Sequence, residues 1–581
     1  MVPRRDAIKG GIATLGALAF GRVLPASARH ARGGGNGLAP GFFPADHWIN
    51  SPVASFNPSD QTATQIYPRP DSETATWARH HWIYYDGTTA FKNIIPIALR
   101  GGAFPYVYEI VEAPSNAGAS MGASIWQANW IIADALAAGY GDLWIQPTGA
   151  FTNATFTVRV WDQTGSYNDV TFTASTVAGY YFNATTPADS YGFIFLDPVN
   201  GTDPSSYPST TGLVSTIGSP IKTTNWAWGS TTTSQTYPNA ILVGRAGTIS
   251  TYVQNAQYGI YLSSGYGPTA FIGYPGESVS VDMTNSPTVS GAQSSAFYAN
   301  TSDIVLQNLT LINGPSGSTN FSAFMQLFQH HRILLHNIAQ PNAWSGTAPT
   351  SNASLWTAEE TNTKNYLWMK GCSDSNRTDS ADGSGTEAMA LYVWGDVQYG
   401  GAELCTSTGC VSYGPSWKWS DGDVTLRCSE IVMGTTYKYS AMAADVAGDV
   451  PGSPVMQNRE VCYCILGGPT NSAFIWNQNQ QQNGSLIGPS VSYRNSIYGF
   501  IKVWPTGNVG PYESISDAIQ YGAGNQAMMI GNSTGVLPSN MILTNPDAQA
   551  ATGVLNAPSS GDYTLASAYS AWNGLRGAFI S

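Results

Sequence analysis

"IVLQN" at residues 304–308 returns as "ILLHN" at 333–337. Each is a short run of apolar residues that closes on asparagine. The same shape recurs as "YLWMK" (366–370), "VTLRC" (424–428), "EVCYC" (460–464) and "VSYRN" (491–495), so the string ends are 29, 33, 58, 36 and 31 residues apart. With the 58 counted as two turns, the period falls between about 20 and 50 residues, the signature of stacked units that bury their apolar faces only against their neighbours. Short β-rich strings, few candidate helices and many Gly and Asn turns select a β-solenoid over a helical one. Stacked parallel strands are therefore predicted from about 193 to 545. Asn308, Asn337 and Asn495 are expected in equivalent turns, where side-chain amides bond one above another. Lys370 is read into the same slot, as a replaced ladder residue or one turned outward at a rim.

The chain of 581 residues exceeds one domain's worth, and with 43% hydrophobic residues it has ample core material. It is not a disordered chain. The N-terminus, "MVPRRDAIKGGIATLGALAFGRVLPASA", places Arg4 and Arg5 before a small apolar run and an Ala26-Ser27-Ala28 cleavage pattern. Residues 1–28 read as an export signal, and the paired arginines resemble a twin-arginine signal. A secreted or periplasmic bacterial protein is expected, with no membrane span once the signal is removed. Loss of that segment removes four basic residues and one acid, taking the formal charge from −12 to −15. So acidic a protein is a poor nucleic-acid partner. A monomer is expected.

Residues 29–90 read as an irregular N-terminal wrap. From 91 to 180 the pattern alternates: Tyr106, Tyr108 and Ile110 share one face, and Phe156-Val158-Val160 and Val170-Phe172 flank a Gly-containing turn, as in an antiparallel hairpin. Gly102 to Ile110 followed by Phe156 to Gly165 resembles the cadherin-like immunoglobulin domains. That resemblance implies a small β-sandwich without chemistry of its own, and "ASIWQANWIIADALAAGYGD" (123–142) reads as a helical insertion within it.

Four phrases then follow in order: "FIFLDPVNGTDPSS" (193–206), "GSPIKT" (218–223), "AILVGRAGTIS" (240–250) and "TAFIGYPGESVSVD" (269–282). They resemble the opening turns of secreted pectate-lyase-type proteins. The resemblance implies an all-β, right-handed parallel β-helix over 190–581, preceded by the immunoglobulin-like sandwich.

Chemistry concentrates in "CSDSNRTDSADGSGTE" (372–387), which gathers Asp374, Asp379, Asp382 and Glu387. Crowded carboxylates repel unless a cation lies between them, and Ca²⁺ takes six to eight oxygen ligands from such Asp- and Gly-rich loops. A solvated polar loop is the other reading. The D-x-D-x-D-G spacing of an EF-hand is absent. Cys372, Asn376, Asp379, Asp382 and Gly383, with "GPSWKWSDGD" (414–423) and "VTLRC" after them, resemble the calcium-dependent pectate lyases of polysaccharide lyase family nine. The consecutive Asp pair of that family's turn is not present. The resemblance implies calcium at the acidic loop and Lys418 as the base of a β-elimination on a uronate polysaccharide. A lysine serves as base once partial burial beside a cation lowers its pKa, and the calcium neutralises the substrate carboxylate. In an extended strand Trp417 and Trp419 share one face and Lys418 takes the other.

Arg377, Arg427 and Lys438 are candidate binders of substrate carboxylate, with Arg459 a further one. His330, His331 and His336 have no metal partners at recognisable spacing and read as structural. Cys405 and Cys410 either close a small disulfide loop or remain buried thiols. Two other functions fit the same sequence. One is a glycoside hydrolase using Asp379 with Asp382, or Asp421 with Asp423, as a carboxylate pair. The other is a non-catalytic glycan-binding surface protein.

Overall fold

The computed structural model describes residues 64–66, 81–100, 107–121, 138–161, 167–183, 185–186, 189–204, 212–213, 215–224, 239–250, 258–262 and 269–282, and beyond these the strands from Ser294–Asn300 to Asp562–Leu565 with a few adjoining turn residues. The chain divides into two compact units, with the boundary between Thr176 and Val177.

The first unit holds two four-stranded sheets. In one, Asn93–Arg100 pairs antiparallel with both Thr64–Ile66 and Ala138–Ile145, and Ala119–Met121 completes the edge. In the other the order is His81–Tyr84, Tyr167–Val177, Ala154–Trp161, Val107–Glu112. The predicted hairpin is present with Phe156 opposite Phe172 and Val158 opposite Val170. The Phe156 and Phe172 rings stack 5.2 Å apart, and all four side chains are buried. Directly opposed aromatic and β-branched pairs are the stabilising unit of such a sheet. Asn93 ties the two sheets: its amide oxygen accepts from Tyr84 N at 2.8 Å and its nitrogen donates to the carbonyls of Tyr84 and Ile145. The strands Thr64–Ile66 and His81–Tyr84 lie upstream of 91, so the unit begins earlier than its sequence pattern. Three and four residues are too short for a period to be read. Of the segment read as a helical insertion, Ala138–Asp142 belongs to a strand, and 123–137 lie outside the described residues.

The second unit is an all-β parallel β-helix. One series of strands runs Tyr191–Leu196, Ala240–Gly244, Thr269–Gly273, the first half of Ile304–Ile312 and of Arg332–Pro341, Asn365–Lys370, Val397–Glu403, Asp423–Arg427, Arg459–Cys462, Ser490–Tyr493, Glu513–Ser516 and Met541–Thr544. Each is parallel to the next. A second series contains Gly247–Ser250, Val279–Asp282, Ser373–Ser375, Thr406–Cys410 and Glu430–Met433. A third contains Ser294–Asn300, Ser322–Phe328, Ala388–Met389, Tyr392–Trp394, Ser416–Lys418 and Ser440–Val446. The chain visits first, second and third series in turn and then repeats, one coil every two to three dozen residues. Neighbouring coils lie about 4.8 Å apart, the spacing of hydrogen-bonded strands.

Identical positions therefore stack. Leu306, Leu335, Met369, Ala402 and Leu426 form one interior column, and each is at most 2% exposed. The entry to the helix is closed by Tyr180–Phe182, which pairs antiparallel with both Tyr191–Leu196 and Gly212–Leu213 and so covers an edge that would otherwise be open.

The four opening phrases are tied to one another by side chains. Asp197 accepts from the backbone N–H of Val199 and Asn200, and Asp203 accepts from Lys222 N, Thr223 N and Thr223 Oγ1. The first phrase thus holds the second. Arg245 Nη2 lies 2.6 Å from Glu277 Oε1, and its guanidinium sits 4.5 Å from the Tyr274 ring centre, which joins the third phrase to the fourth.

Asparagine occupies the corners in the left-handed conformation, at Asn239, Asn308, Asn313 and Asn337. Among non-glycine residues Asn tolerates this region best. Asn308 and Asn337 lie in adjacent turns as predicted. Lys370 does not continue their ladder. It stands opposite His336, and the corner position one residue later is Gly371, at φ 65°. A Cβ there would run into Asn337 Oδ1.

Candidate active site

The acidic loop is the connector between two series of one coil. It leaves the second series at Ser373–Ser375 and enters the third at Ala388–Met389 and Tyr392–Trp394. Arg377, Asp379, Asp382 and Glu387 lie within this connector, outside the described residues.

Lys418 ends the strand Ser416–Lys418 of the third series, in register with Trp394 of the preceding coil, while Trp417 stands opposite Val393. The topology therefore brings the lysine to the sheet the acidic connector enters, one coil further on.

Of the four acids, Asp374 is the one among the described residues. It belongs to the strand Ser373–Ser375, is 3% exposed, and lies in register between Gln340 and Ser407, both fully buried. That column is interior: Ile249, Val281 and Leu311 precede Gln340 in it and Ile431 follows Ser407, each also buried.

Of the candidate carboxylate binders, Arg427 and Arg459 fall on described strands. Arg427 ends Asp423–Arg427 in the first series, opposite Glu403 and Cys462. Arg459 opens the next strand of that first series, opposite Val424. Lys438 lies outside the described residues, as do His330 and His331. His336 is buried beside Gln307 and Lys370 in one column of the first series.

Cys405 is a free thiol, and with Cys372 and Cys464 it faces the coil interior. The three Sγ atoms donate to the carbonyls of Leu335, Met369 and Leu426, each in a preceding coil. The loop disulfide between Cys405 and Cys410 is thus not formed. The pairing direction turns Cys405 into the core, where a thiol behaves as a small apolar group.

Among the described residues no cluster of three His, Cys, Asp or Glu side chains is placed to hold a metal. No helix among them is long and apolar enough to cross a membrane. The resolved electrostatics belong to the first coils. Arg245 is held above its ordinary pKa, chiefly by its hydrogen bonds to Glu277. Partial burial alone would raise Asp197, but bonds from Asn200 and Val199 and the nearby Arg245 bring it below the usual value.

Sequence reading missed Gln340 and Ser407. Their signal is parity: in "ILLHNIAQP" (333–341) the residues after the asparagine alternate, and Ile338 and Gln340 share the inward side.

These strands define the class as an all-β parallel β-helix protein. No protein-family model matches the chain, and no curated protein sequence resembles it. Among solved structures it is similar to a rhamnogalacturonan lyase, with a TM-score of 0.40 and 13% identity over 61% of this chain and 85% of that one. It is similar also to pectate lyase Pel9A, with a TM-score of 0.40 and 13% identity over 63% of this chain and 84% of that one.

Proposed function

We propose that this protein is a polysaccharide lyase that cleaves a uronate-containing polymer by calcium-assisted β-elimination, with Lys418 as the base. The observation that carries the reading is topological: an acid-rich connector leads into the third series of strands, and one coil further on in that series lies Lys418, in register with Trp394. Asp379, Asp382 and Glu387 supply only carboxylate oxygens, the donor type a hard cation takes. Asp374, buried on the interior column, belongs to the scaffold beneath them in this reading. Bound there, calcium would neutralise the substrate carboxylate and so acidify the neighbouring C–H.

Lys418 Nζ, unprotonated, takes the proton beside the carboxylate. The C–H electron pair becomes the new C=C bond, and the bond to the glycosidic oxygen breaks. That oxygen leaves with a proton from solvent. Lysine suits the task because its pKa responds to burial and neighbouring charge, whereas a guanidinium stays protonated. The export-type N-terminus accords with a substrate outside the cytoplasm, and the first unit serves as a spacer without chemistry.

The test is ultraviolet absorbance of unsaturated product from purified protein on polygalacturonate, rhamnogalacturonan, alginate and glucuronan. Rising absorbance on one of them supports the reading. Saturated reducing ends without absorbance indicate a hydrolase, and binding without turnover a glycan-binding protein.

A further inference from the structure

We infer that the coil encloses a built site for ordered water at Gln340, Asp374 and Ser407. These residues occupy one interior position of three successive coils: Gln340 pairs in register with Asp374, and Asp374 with Ser407. Their exposures are 0%, 3% and 0%. Both polar atoms of the Gln340 amide and the Ser407 hydroxyl are buried without a hydrogen-bond partner among the described residues. The same column is apolar at both ends, with Leu311 opposite Gln340's position one coil before and Ile431 opposite Ser407 one coil after. Three polar residues are thus sealed into an apolar tube.

A buried polar group without a partner costs roughly 1–3 kcal/mol, and three such atoms in one column call for a common partner. Its chemistry follows from the atoms. Gln340 offers a donor as well as an acceptor, Ser407 offers both, and Asp374 offers a carboxylate. A cation would be ligated by the oxygens but would leave the amide N–H groups facing positive charge. Water accepts from Gln340 Nε2, donates to the carboxylate and bridges to Ser407 Oγ, so it satisfies both kinds of group at once. Buried waters typically make about three such bonds. The site is independent of the proposed lyase chemistry, because it lies inside the coil and needs no substrate.

The experiment is a crystal structure of the unliganded full chain at a resolution that shows ordered water, combined with thermal unfolding of Gln340→Leu and Ser407→Ala. Water density within hydrogen-bond distance of Gln340 Nε2 and Ser407 Oγ, with a lowered Tm in both variants, is the expected result. Removing one bridge leaves the water and the carboxylate short of a partner. Direct side-chain bonds with no water between them would overturn the inference, as would a scatterer with the short contacts of a metal ion. A rise in Tm for Gln340→Leu would overturn it too, since removal of a truly unpaired amide relieves its penalty.

Discussion

Asn337 donates its side-chain amide to the side-chain carbonyl of Asn308 at 3.1 Å, while both residues hold positive φ, 52° and 53°. One residue type thus supplies two properties of the corner. It accepts the left-handed backbone, and it bonds to its copy one coil away. The two contributions are separable. Asn337→Gly keeps the backbone conformation and loses the bond, which costs about 1 kcal/mol. Asn337→Ala loses the bond and adds a left-handed penalty of about 1–2 kcal/mol. Denaturant or thermal unfolding should therefore order the proteins wild type, Gly variant, Ala variant. An alanine variant as stable as the glycine one would show that the corner is not strained.

Gly371 continues that corner, and Gly371→Ala should be more harmful than either change at Asn337. The new methyl meets Asn337 Oδ1 in addition to an unfavourable φ of 65°. Removing the obstacle in the double variant Asn337→Gly with Gly371→Ala should recover the steric part and leave the backbone part. A positive coupling in the double-mutant cycle, of the 0.5–3 kcal/mol usual for touching residues, is the expected outcome.

The solenoid was legible because two neighbouring strings, 304–308 and 333–337, keep the same apolar parity and the same corner residue. The interval of 58 is indeed two coils. The hidden one is Val397–Glu403, "VQYGGAE", whose Gly400 and Gly401 leave no apolar string to recognise. Alignment slipped by one at 366–370 because string matching rewards a polar letter after apolar ones. The corner itself is selected by backbone handedness, which glycine meets with no side chain at all. A slip of one in the other direction affects 460–464 and 491–495, since Arg427 stands opposite Cys462 and Cys462 opposite Tyr493. The site was legible only as a neighbourhood. The strand that follows the acidic connector, Tyr392–Trp394, pairs with the strand of Lys418, but distance within a coil is set by turn geometry, for which short polar strings carry no period. Asp374 reads as one acid of four, and only its parity within Ser373–Ser375 places it inside.

At the first corner, Glu277 is held below its ordinary carboxyl value of 4.5, first by hydrogen bonds from Arg245, then against partial burial and with help from Ala246 N. An acid depressed in the folded state contributes stability that is full above its ordinary pKa and is lost as pH falls through the lower folded value. Glu277→Gln should therefore lower Tm at neutral pH, and the gap to wild type should close as pH drops below about 4.5. Thermal scans from pH 7 to pH 3 measure it. A gap independent of pH would mean that the Arg245–Glu277 bridge acts through packing alone.

The functional proposal meets its sharpest test at Lys418 and the acidic connector together. If Lys418 is the base, Lys418→Ala should lower kcat by several orders of magnitude with little change in substrate binding, because a base acts in the transition state rather than in the ground-state complex. Lys418→Arg should not restore turnover, since guanidinium accepts no proton near neutral pH. Chelation should also abolish turnover, and Asp382→Ala should mimic it, with partial recovery at raised calcium if the remaining carboxylates still bind the ion. The two losses differ in kind: added calcium should leave Lys418→Ala inactive. Folding of each variant is checked by its unfolding midpoint, which a loss of chemistry alone should not move. If Lys418→Ala eliminates at the wild-type rate, the lysine is scaffold and the base lies elsewhere. If turnover persists in excess chelator while Lys418→Ala is dead, the lysine keeps its role and the acidic connector loses its cation.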